Sequence, residues 1–312
     1  MKSAIHIVLV TYNGSRWLDA CLKGIKGSAL PCFTWIIDNR STDDTLEKVK
    51  SHQIEKEVCI MDANLGFGRA NNIGIAKALK AGAEYVFLLN QDAYLFPDTL
   101  EKLLAAAERE DHAVWSPIHL NGKGDGLDRN FGKYYVDFDA NPQLTHDAMR
   151  GQLKEVYTLP FVNAAAWFIP KKTFETIGGF DPLFSHYGED DNFCQRIRYH
   201  GLTIALNTTV YVRHDRNERD QSRPDEFSEK GVELFRRKLK IKYANPSCSD
   251  FPKEYDAEFK RYRSWSFKSK VKLNSRQASG YGRMASIMED EWNAIDQSRR
   301  ITVTKGPHFL PL

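Results

Sequence analysis

Runs of apolar residues with the length of β-strands alternate with segments of helical periodicity along the first 120 residues. The first run, AIHIVLV at residues 4–10, is continuous and rich in β-branched residues, which is typical of a parallel strand covered on both faces. Four further runs predict strands at residues 33–39, 57–63, 84–95 and 113–118. This alternation predicts βαβ units and an α/β fold with a mainly parallel, doubly wound, Rossmann-like sheet.

Helices are predicted between these strands. Apolar residues recur at helical spacing over residues 17–25, and Ser41 or Thr42 is expected to cap the second helix. The third helix is expected to end at Gly82, because glycine suits the residue that follows a helix. Residues 98–110 predict a fourth helix of the same periodicity.

The second half of the chain changes character twice. Residues 121–155 are rich in Gly, Asp and Asn and predict a long surface excursion, whereas apolar runs at 158–170 and 202–214 return to the core. Beyond residue 216 the composition becomes charged and aromatic. We therefore expect one α/β domain over residues 1–215 and a basic, mostly helical extension over residues 216–312.

Polar clusters follow the predicted strands at the points where they end. Ligands of doubly wound folds bind beyond the carboxyl ends of the strands, so these clusters predict a binding site at one sheet edge. The clusters are Thr11-Tyr12-Asn13, Asp38-Asn39, Asn64-Leu65-Gly66 and Asn90-Gln91-Asp92.

The familiar phosphate-binding loops are missing from these strand ends. The first turn, TYNGSR, lacks G-x-G-x-x-G, the segment GFGRAN at residues 66–71 lacks the third glycine, and no G-x-x-x-x-G-K-[ST] occurs. A divalent cation is another way to bind phosphate, because Mg²⁺ and Mn²⁺ prefer oxygen ligands such as Asp92. The alternative for Asp92 is a turn residue that caps the next segment.

Three consecutive acids, Glu189, Asp190 and Asp191, precede an amphipathic helical pattern in FSHYGEDDNFCQRIRYHG at residues 184–201. Capping explains one or two of them, because free N–H groups and the helix dipole favour acids in the first turn and lower their pKa. The other interpretation is that one acid is a general base. Arg196 and Arg198 are candidate salt-bridge partners.

Composition narrows the class of protein. The chain has 312 residues, of which 42% are hydrophobic and 27% charged, so it is globular, and its net charge of +3 does not indicate nucleic acid. The five cysteines are widely spaced and form no C-x-x-C pair, which argues against disulfides or zinc and favours a reducing compartment. No apolar run has the roughly 20 residues of a membrane helix, and the N-terminal run is too short for a signal peptide. A cytoplasmic location is predicted.

Positive charge is concentrated in one region. Residues 229–276 contain 14 Lys and Arg against 6 Asp and Glu. Three interpretations remain open, namely a solvated helix face, peripheral contact with an anionic membrane and an interface of a homo-oligomer. No nucleic-acid partner is expected, since no recognised module accompanies the charge.

Six ordered segments resemble the family 2 glycosyltransferases with the GT-A fold, especially the bacterial rhamnosyltransferase-like branch. They are IVLVTYNGSRWLDACL, WIIDNRSTDDT, NLGFGRANNIGI, LLNQDA, GGFDPLFSHYGEDDNFCQRIRYHG and VRHD, and they cover roughly residues 4–215. The resemblance implies a nucleotide-diphosphosugar donor (dTDP-rhamnose or a UDP-hexose), a divalent cation (Mg²⁺ or Mn²⁺) and inversion at the anomeric carbon. It also implies a glycan or lipid-linked acceptor and a role in cell-surface polysaccharide synthesis.

The resemblance also implies roles for individual residues. Asp190 would be the catalytic base, with Glu189 beside it orienting a neighbour or binding acceptor hydroxyls, and Asp92 and His214 would bind the cation. Apart from the resemblance, the aromatic side chains of Trp167 and Tyr187 are candidates to stack on sugar faces of the acceptor, with core or rim packing as the open alternative. Asp191 is a candidate acceptor contact that also suits a capping role. The implied nucleotide-sugar contacts are Thr11, Tyr12, Asn13, Asp38, Asn39, Asn64, Gly66, Gly68, Arg69, Asn72, Asn90 and Gln91.

The sequence departs from the family's motifs at one position, and two other functions are left open. Asn90 stands where the family's D-x-D motif has its first acid, so the dependence on metal is expected to be weaker. A sugar nucleotidyltransferase would need a basic, Gly-rich loop after the first strand, and TYNGSRWL is a poor one. A non-catalytic nucleotide- or carbohydrate-binding module would not need an acid opposite the leaving group.

Overall fold

A nine-stranded mixed sheet forms the centre of the molecule in this computed structural model, which describes residues 4–135, 141–216 and 224–311. Its strands follow the order β3-β2-β1-β4-β8-β6-β9-β5, and β7 pairs with β9. The strands are β1 (Ile5–Thr11), β2 (Phe33–Asp38), β3 (Lys56–Ile60), β4 (Tyr85–Asn90), β5 (Ala93–Leu95), β6 (Val114–Asn121), β7 (Val156–Leu159), β8 (Ala166–Pro170) and β9 (Ile204–His214).

Helices cover both faces of this sheet and form the C-terminal region. Those of the first 215 residues are α1 (Ser15–Lys26), α2 (Thr45–Ser51), α3 (Phe67–Lys80), α4 (Thr99–Arg109), α5 (Arg129–Tyr135), α6 (Pro142–Met149), α7 (Lys171–Ile177) and α8 (Glu189–Tyr199). Those that follow are α9 (Glu229–Tyr243), α10 (Phe251–Val271) and α11 (Ser275–Thr302).

The first four predicted strands form the parallel half of the sheet. β1 pairs in parallel with β2 and with β4, and β2 pairs in parallel with β3. In this register Thr11 lies opposite Asp38 and Val10 opposite Asn90. The carboxyl ends of these strands therefore meet at one edge, as the alternation of strands and helices predicts.

The other half of the sheet corrects the prediction of a mainly parallel sheet. β8 runs antiparallel to β4 and β6, and β5 and β7 run antiparallel to β9. The predicted strand at 84–95 is two strands, because the chain turns at Gln91 and Asp92 so that Ala93 pairs with His214. The predicted run at 158–170 is likewise split into β7 and β8.

Two predicted helix boundaries also differ. Helix α2 begins at Thr45 rather than after Ser41 or Thr42, because the Ser41 hydroxyl donates to the Asp38 carboxylate instead of capping a helix. Helix α3 ends at Lys80, and Gly82 follows in the left-handed region with φ 93°. The predicted excursion at 121–155 contains α5 and α6, and its residues 136–140 lie outside the described part of the chain.

Side chains of β1 enter the core on both faces of the sheet. Val8 packs with residues of α3 and α8, whereas Ile7 and Leu9 pack with residues of α1 and α4. All three are fully buried, as the continuous apolar run predicts. Burial of each such side chain contributes about 1.5–3 kcal/mol to the stability of the fold. The strand is therefore held firmly, and so is the loop that follows it.

The C-terminal helices pack on the segment that contains the three acids. Their apolar cluster includes Val232, Tyr243 and Tyr255 together with Phe184, which lies five residues before Glu189. The last residues return to the α/β domain, where Gly179 N–H donates to the His308 carbonyl at 2.8 Å. Among the described residues no helix is both long and apolar enough to cross a membrane. The division at residue 215 stays a prediction.

Candidate functional site

The ends of β1 and β2 are joined through the carboxylate of Asp38. Its Oδ1 accepts hydrogen bonds from Thr11 Oγ1 at 2.8 Å and Ser41 Oγ at 2.6 Å, and its Oδ2 accepts one from Ser41 N at 2.8 Å. Asp38 is fully buried. The carboxylate therefore fixes the loop after β2, and its predicted contact with a base or ribose stays a prediction.

The loop after β1 is held from two sides. Asn13, with φ 44°, accepts a hydrogen bond from Thr42 N at 2.8 Å through its Oδ1. Gln91 lies on the other side, where its Oε1 accepts from Tyr12 N at 3.0 Å and its Nε2 donates to Tyr12 O at 3.1 Å. The Tyr12 ring is 46% exposed, so it is available to stack on a bound ring.

Gly66 connects the strand-end loops with the segment that precedes the acids. It has φ 79°, and a Cβ there would overlap with the Ser185 carbonyl oxygen. Asn39 holds the same turn, because its Nδ2 donates to Gly66 O and its Oδ1 accepts from Leu65 N, both at 3.3 Å. Gly68 approaches Glu189, whose Cβ would lie 3.6 Å from a Cβ at Gly68. Only glycine permits this close approach at position 66.

The turn after β4 brings two potential metal ligands together. Asp92 Oδ1 lies 3.4 Å from His214 Nε2, and Arg216 Nη2 donates to His214 Nδ1 at 3.0 Å. Arg216 is also paired with the buried Asp128, at 2.9 Å from Nε to Oδ2. Burial raises the pKa of Asp92, but the opposing effect of His214 and Arg216 is larger, so the pKa lies below its usual value. Asp92 is therefore an anion at neutral pH.

Asp128 and Arg216 are site residues that the sequence did not reveal. Asp128 lies in the predicted surface excursion, yet it is only 2% exposed, and Arg216 follows the last matching block. No motif marks either residue. The pairing of β6 with β9, which places Asn121 opposite His214, brings the two segments together.

A tight turn presents the three acids at the start of α8. Gly188, with φ 98°, precedes the helix, and Tyr187 before it has φ 65°. The carboxylate of Asp190 accepts hydrogen bonds from two backbone N–H groups, those of Asp191 and Ala164. Ala165, the next residue, accepts the backbone N–H of Asn90 at 2.9 Å. Asp190 therefore lies beside the end of β4.

Burial raises the pKa of all three acids. Glu189 is 5% exposed, and burial together with the charge of Asp190 raises its pKa to about 8. Burial and Asp190 raise the pKa of Asp191 to about 7, and burial also raises the pKa of Asp190. The expected lowering by the helix dipole is therefore wrong, because loss of hydration outweighs it. Since two N–H groups stabilise its anion, Asp190 is the member best suited to be ionised near neutral pH.

A positively charged side chain from the C-terminal region faces these acids. Arg237 of α9 lowers the pKa of Glu189, Asp190 and Asp191 against the effect of burial. Its Cζ lies 5.4 Å from the centre of the Tyr187 ring. No spacing rule could have linked residues so far apart in sequence.

Arg196, a predicted salt-bridge partner of the acids, is directed away from them. It is 1% exposed and donates to the Ile177 and Gly179 carbonyls and to Asn192 Oδ1. Arg198 is exposed and forms no ion pair with a described residue. The helix therefore uses Arg196 to fix the preceding segment, and the predicted pairing is corrected.

The family model for glycosyl transferase family 2 matches residues 6–178, more than half of the chain. The chain belongs to this family. It is 28% identical over 221 residues to the dTDP-rhamnosyl transferase RfbF of Shigella flexneri, covering 69% of this chain and 70% of that protein. It is 25% identical over 241 residues to the N-acetylglucosaminyl-diphospho-decaprenol L-rhamnosyltransferase of Mycobacterium tuberculosis, covering 69% and 77%.

Solved structures of two glycosyltransferases share the fold. GalNAc-T7 with UDP, GalNAc and Mn²⁺ aligns with a TM-score of 0.56 and 16% identity, covering 79% of this chain and 52% of that chain. TarS of S. aureus (residues 1–349) in complex with UDP aligns with a TM-score of 0.52 and 15% identity, covering 96% and 91%. The predicted GT-A fold is confirmed, and so is the rhamnosyltransferase-like branch.

Two of the predicted ligand contacts in this glycosyltransferase belong to the packed interior. Trp167 has no exposed surface and lies between Phe180 and Phe193, with ring centres 6.0 and 5.3 Å away. Asn72 is 4% exposed and all its amide donors and its oxygen bond to the backbone of Phe180 and Phe309. Both predictions are corrected, because core packing places these side chains away from the open edge.

Three further predicted residues, Tyr187, Arg69 and Asn64, are exposed, and Asn90 is half-buried. Tyr187 is 39% exposed. Arg69 is exposed and donates to Pro182 O at 3.2 Å, and Asn64 is exposed while its Oδ1 accepts from Gly66 N at 2.9 Å. Asn90 is half-buried, and its Oδ1 has no partner among the described residues. An amide oxygen without a partner at this edge is suited to a bound hydroxyl or water.

We expect Arg237→Gln to shift the acid limb of the pH–rate profile of this glycosyltransferase to higher pH. A base must be ionised, so the rate rises with pH through its pKa. The charge of Arg237 lowers the pKa of Asp190, and its removal raises that pKa, so the variant loses more activity at pH 6 than at pH 9. The measurement is kcat/KM against pH. Arg237→Lys should restore the wild-type profile, and Arg236→Gln should leave it unchanged. If the acid limbs of Arg237→Gln and wild type superimposed, Arg237 would not lower the pKa of the base.

Proposed function

We propose that this family 2 glycosyltransferase transfers a sugar from a nucleotide-diphosphosugar to a hydroxyl of a glycan or lipid-linked acceptor, with inversion at the anomeric carbon. The position of Asp190 supports this most strongly, since its carboxylate lies next to the loops at the carboxyl ends of the parallel strands. The names of the relatives favour dTDP-rhamnose as the donor, ahead of a UDP-hexose. Cell-surface polysaccharide synthesis is the corresponding role.

Asp190 is proposed to remove the proton of the acceptor hydroxyl. The acceptor oxygen then forms a bond to the anomeric carbon while the bond from that carbon to the diphosphate breaks, and the nucleoside diphosphate leaves. Burial raises the pKa of Asp190, which makes the carboxylate a stronger base than one in water. Glu189, with its pKa near 8, is protonated at neutral pH and adds no second charge beside the base.

The residues at the end of β4 fit a divalent cation in part. Asp92 supplies an anionic oxygen and His214 an imidazole nitrogen 3.4 Å away, and both are ligand types that Mn²⁺ accepts. Within residues 4–135, 141–216 and 224–311 no three His, Cys, Asp or Glu side chains are grouped to bind a metal. The chain would therefore share the cation with the donor phosphates. A bound cation would supply positive charge for the departing diphosphate.

His214 must present a free nitrogen if it is to bind that cation. Arg216 donates to its Nδ1, so in the neutral imidazole the proton lies on Nε2 and faces Asp92. To bind the cation through Nε2, the imidazole would have to carry its proton on Nδ1 and lose the hydrogen bond from Arg216; Asp128 Oδ2 lies 3.9 Å from Nδ1, beyond hydrogen-bond distance. Arg216 and Asp128 fix the position of the imidazole in this structure, and cation binding would require the bond from Arg216 to be exchanged.

A thermal-shift panel of UDP, dTDP, GDP and CDP, each with and without Mn²⁺, tests the nucleotide and the cation together. A ligand that binds only the folded chain at 100 times its Kd stabilises it by about 2.7 kcal/mol. We expect one nucleotide to raise Tm by several degrees, with a larger rise in Mn²⁺ that Asp92→Ala removes. The control Asp98→Ala, at a half-buried position that pairs with Lys102, should preserve that larger rise. No shift with any nucleotide in folded protein would contradict a nucleotide-sugar donor.

Three further properties stay predictions. The cysteine pattern is one of the observations that favour a cytoplasmic location, and a homo-oligomer remains one interpretation of the basic C-terminal region. A solvated helix face is the second interpretation, and peripheral contact with a membrane is the third, which has support of its own in the geometry of α10 and α11.

A further inference from the structure

Helices α10 and α11 form an antiparallel hairpin with an apolar tip. Tyr255 OH donates to Met288 O at 2.6 Å and Ser266 Oγ to Ala278 O at 2.7 Å, so the two helices run in opposite directions. Three residues, 272–274, connect them. At this tip Phe267, Val271 and Leu273 are 67%, 69% and 91% exposed. These side chains bury little surface within the chain, which is the usual mark of a contact with something else.

The tip is also strongly basic. Residues 259–276 contain seven Lys and Arg and no Asp or Glu. Lys268, Lys270 and Lys272 are exposed and form no ion pair with any described residue, whereas Arg276 pairs with Asp225 at 2.6 Å. Three free ammonium groups therefore surround the apolar side chains.

The tip lies at the opposite end of the hairpin from its buried base, next to the segment before α9 that pairs with Arg276 through Asp225. Helix α10 has 21 residues, which is about 30 Å at 1.5 Å per residue. Its first residues, Phe251 and Tyr255, are buried in the cluster that also contains Phe184. Near the opposite end Phe267, Val271 and Leu273 are exposed, so they can meet a surface while the base of the hairpin stays attached to the segment before the three acids.

We infer that this hairpin tip inserts into the headgroup region of an anionic lipid bilayer. Lysine ammonium groups are attracted to anionic headgroups, and Phe267, Val271 and Leu273 can enter the apolar boundary beneath them. A second copy of the same tip would bring like charges together. Nucleic acid would leave the aliphatic side chains of Val271 and Leu273 exposed. The inference depends on the tip alone and not on the transfer reaction.

Cosedimentation of the full chain with vesicles tests the inference. The vesicles contain either phosphatidylcholine alone or phosphatidylcholine mixed with phosphatidylglycerol, whose anionic headgroups attract Lys side chains. We expect binding to the anionic vesicles that weakens at high salt. The triple change Lys268→Gln, Lys270→Gln and Lys272→Gln should weaken binding by about a hundredfold, since each Lys contributes roughly fivefold. Phe267→Ser with Leu273→Ser should weaken it by at least tenfold.

A matched variant separates the tip from exposed apolar surface in general. Met149→Ser removes a side chain that is 85% exposed elsewhere and should bind as wild type does. All the altered side chains are exposed, so unchanged circular dichroism is expected. The inference is overturned by absent vesicle binding, by equal binding to neutral and anionic vesicles, or by tip variants that bind normally. Binding to duplex DNA or a concentration-dependent dimer, lost in the tip variants while vesicles are ignored, would also overturn it.

Discussion

Replacing Asp190 by Asn is expected to reduce the rate of sugar transfer by roughly 10²–10⁴-fold and to leave nucleotide affinity unchanged. Asparagine has the same shape, and its amide oxygen can still accept from the backbone N–H groups of Asp191 and Ala164. It cannot take a proton from an acceptor hydroxyl. The measurement is the initial rate of transfer, with nucleotide binding measured by calorimetry.

Asp191→Asn is the matched control for this substitution. Asp191 is the next residue, is half-buried as Asp190 is, and also has a raised pKa, but the hydrogen bond from the backbone N–H of Ala164 goes to Asp190 and not to Asp191. We expect its loss to change the rate by less than tenfold. A rate for Asp190→Asn within a few-fold of wild type would show that another group takes the proton of the acceptor hydroxyl.

The second large effect is expected on stability, from Arg196→Met. Methionine fills much of the same volume, but it leaves the Ile177 and Gly179 carbonyls and Asn192 Oδ1 without their donor. Each buried acceptor without a partner costs about 1–3 kcal/mol, so the free energy of unfolding should fall by about 3–5 kcal/mol. Burial lowers the pKa of Arg196 to about 10, so the guanidinium remains charged at neutral pH.

Urea unfolding measures this loss, and Arg198→Met on the same helix is the control. Arg198 is exposed, and surface changes of this kind usually stay within about 0.5 kcal/mol. If Arg196→Met unfolded at the same urea concentration as wild type, the carbonyls of residues 177 and 179 would have found other donors. The stabilising role inferred for Arg196 would then be wrong.

The positions of the strand-end loops could be predicted because they depend on the apolar runs directly before them in the sequence. A continuous β-branched run at residues 4–10 predicts a buried parallel strand, and parallel strands bring their carboxyl ends to one edge. Thr11, Asp38 and Asn90 follow such runs directly and meet as expected. The positions of the acids at a helix start could be predicted for the same reason.

The mixed half of the sheet could not be predicted in this way. The apolar run continues through LLNQDAYL, so nothing local shows that the chain leaves β4 at Asn90 and pairs Ala93 with His214. Trp167 follows a short apolar segment equally suited to a site wall or to the core. Only the packing of Phe180 and Phe193 around it decides for the core.

The electrostatics of the acids depend on contacts that sequence does not encode locally. The helix dipole predicts a lowered pKa, yet burial under α9 raises the pKa of Glu189 and Asp191 to about 8 and 7. The opposing charge, Arg237, lies in a region without family motifs. We therefore regard the C-terminal helices as part of the site that the first 215 residues present.

The most direct test of Asp190 as the base measures nucleotide binding and product release on the same samples of wild type and Asp190→Asn. Calorimetry gives the Kd of the nucleotide, and a coupled assay gives the rate of nucleoside-diphosphate release from the donor sugar in the presence of acceptor. Equal Kd values with release reduced at least a hundredfold in the variant are expected. Release at the wild-type rate would show that another group takes the proton, and loss of nucleotide binding would show that Asp190 belongs to the donor site instead.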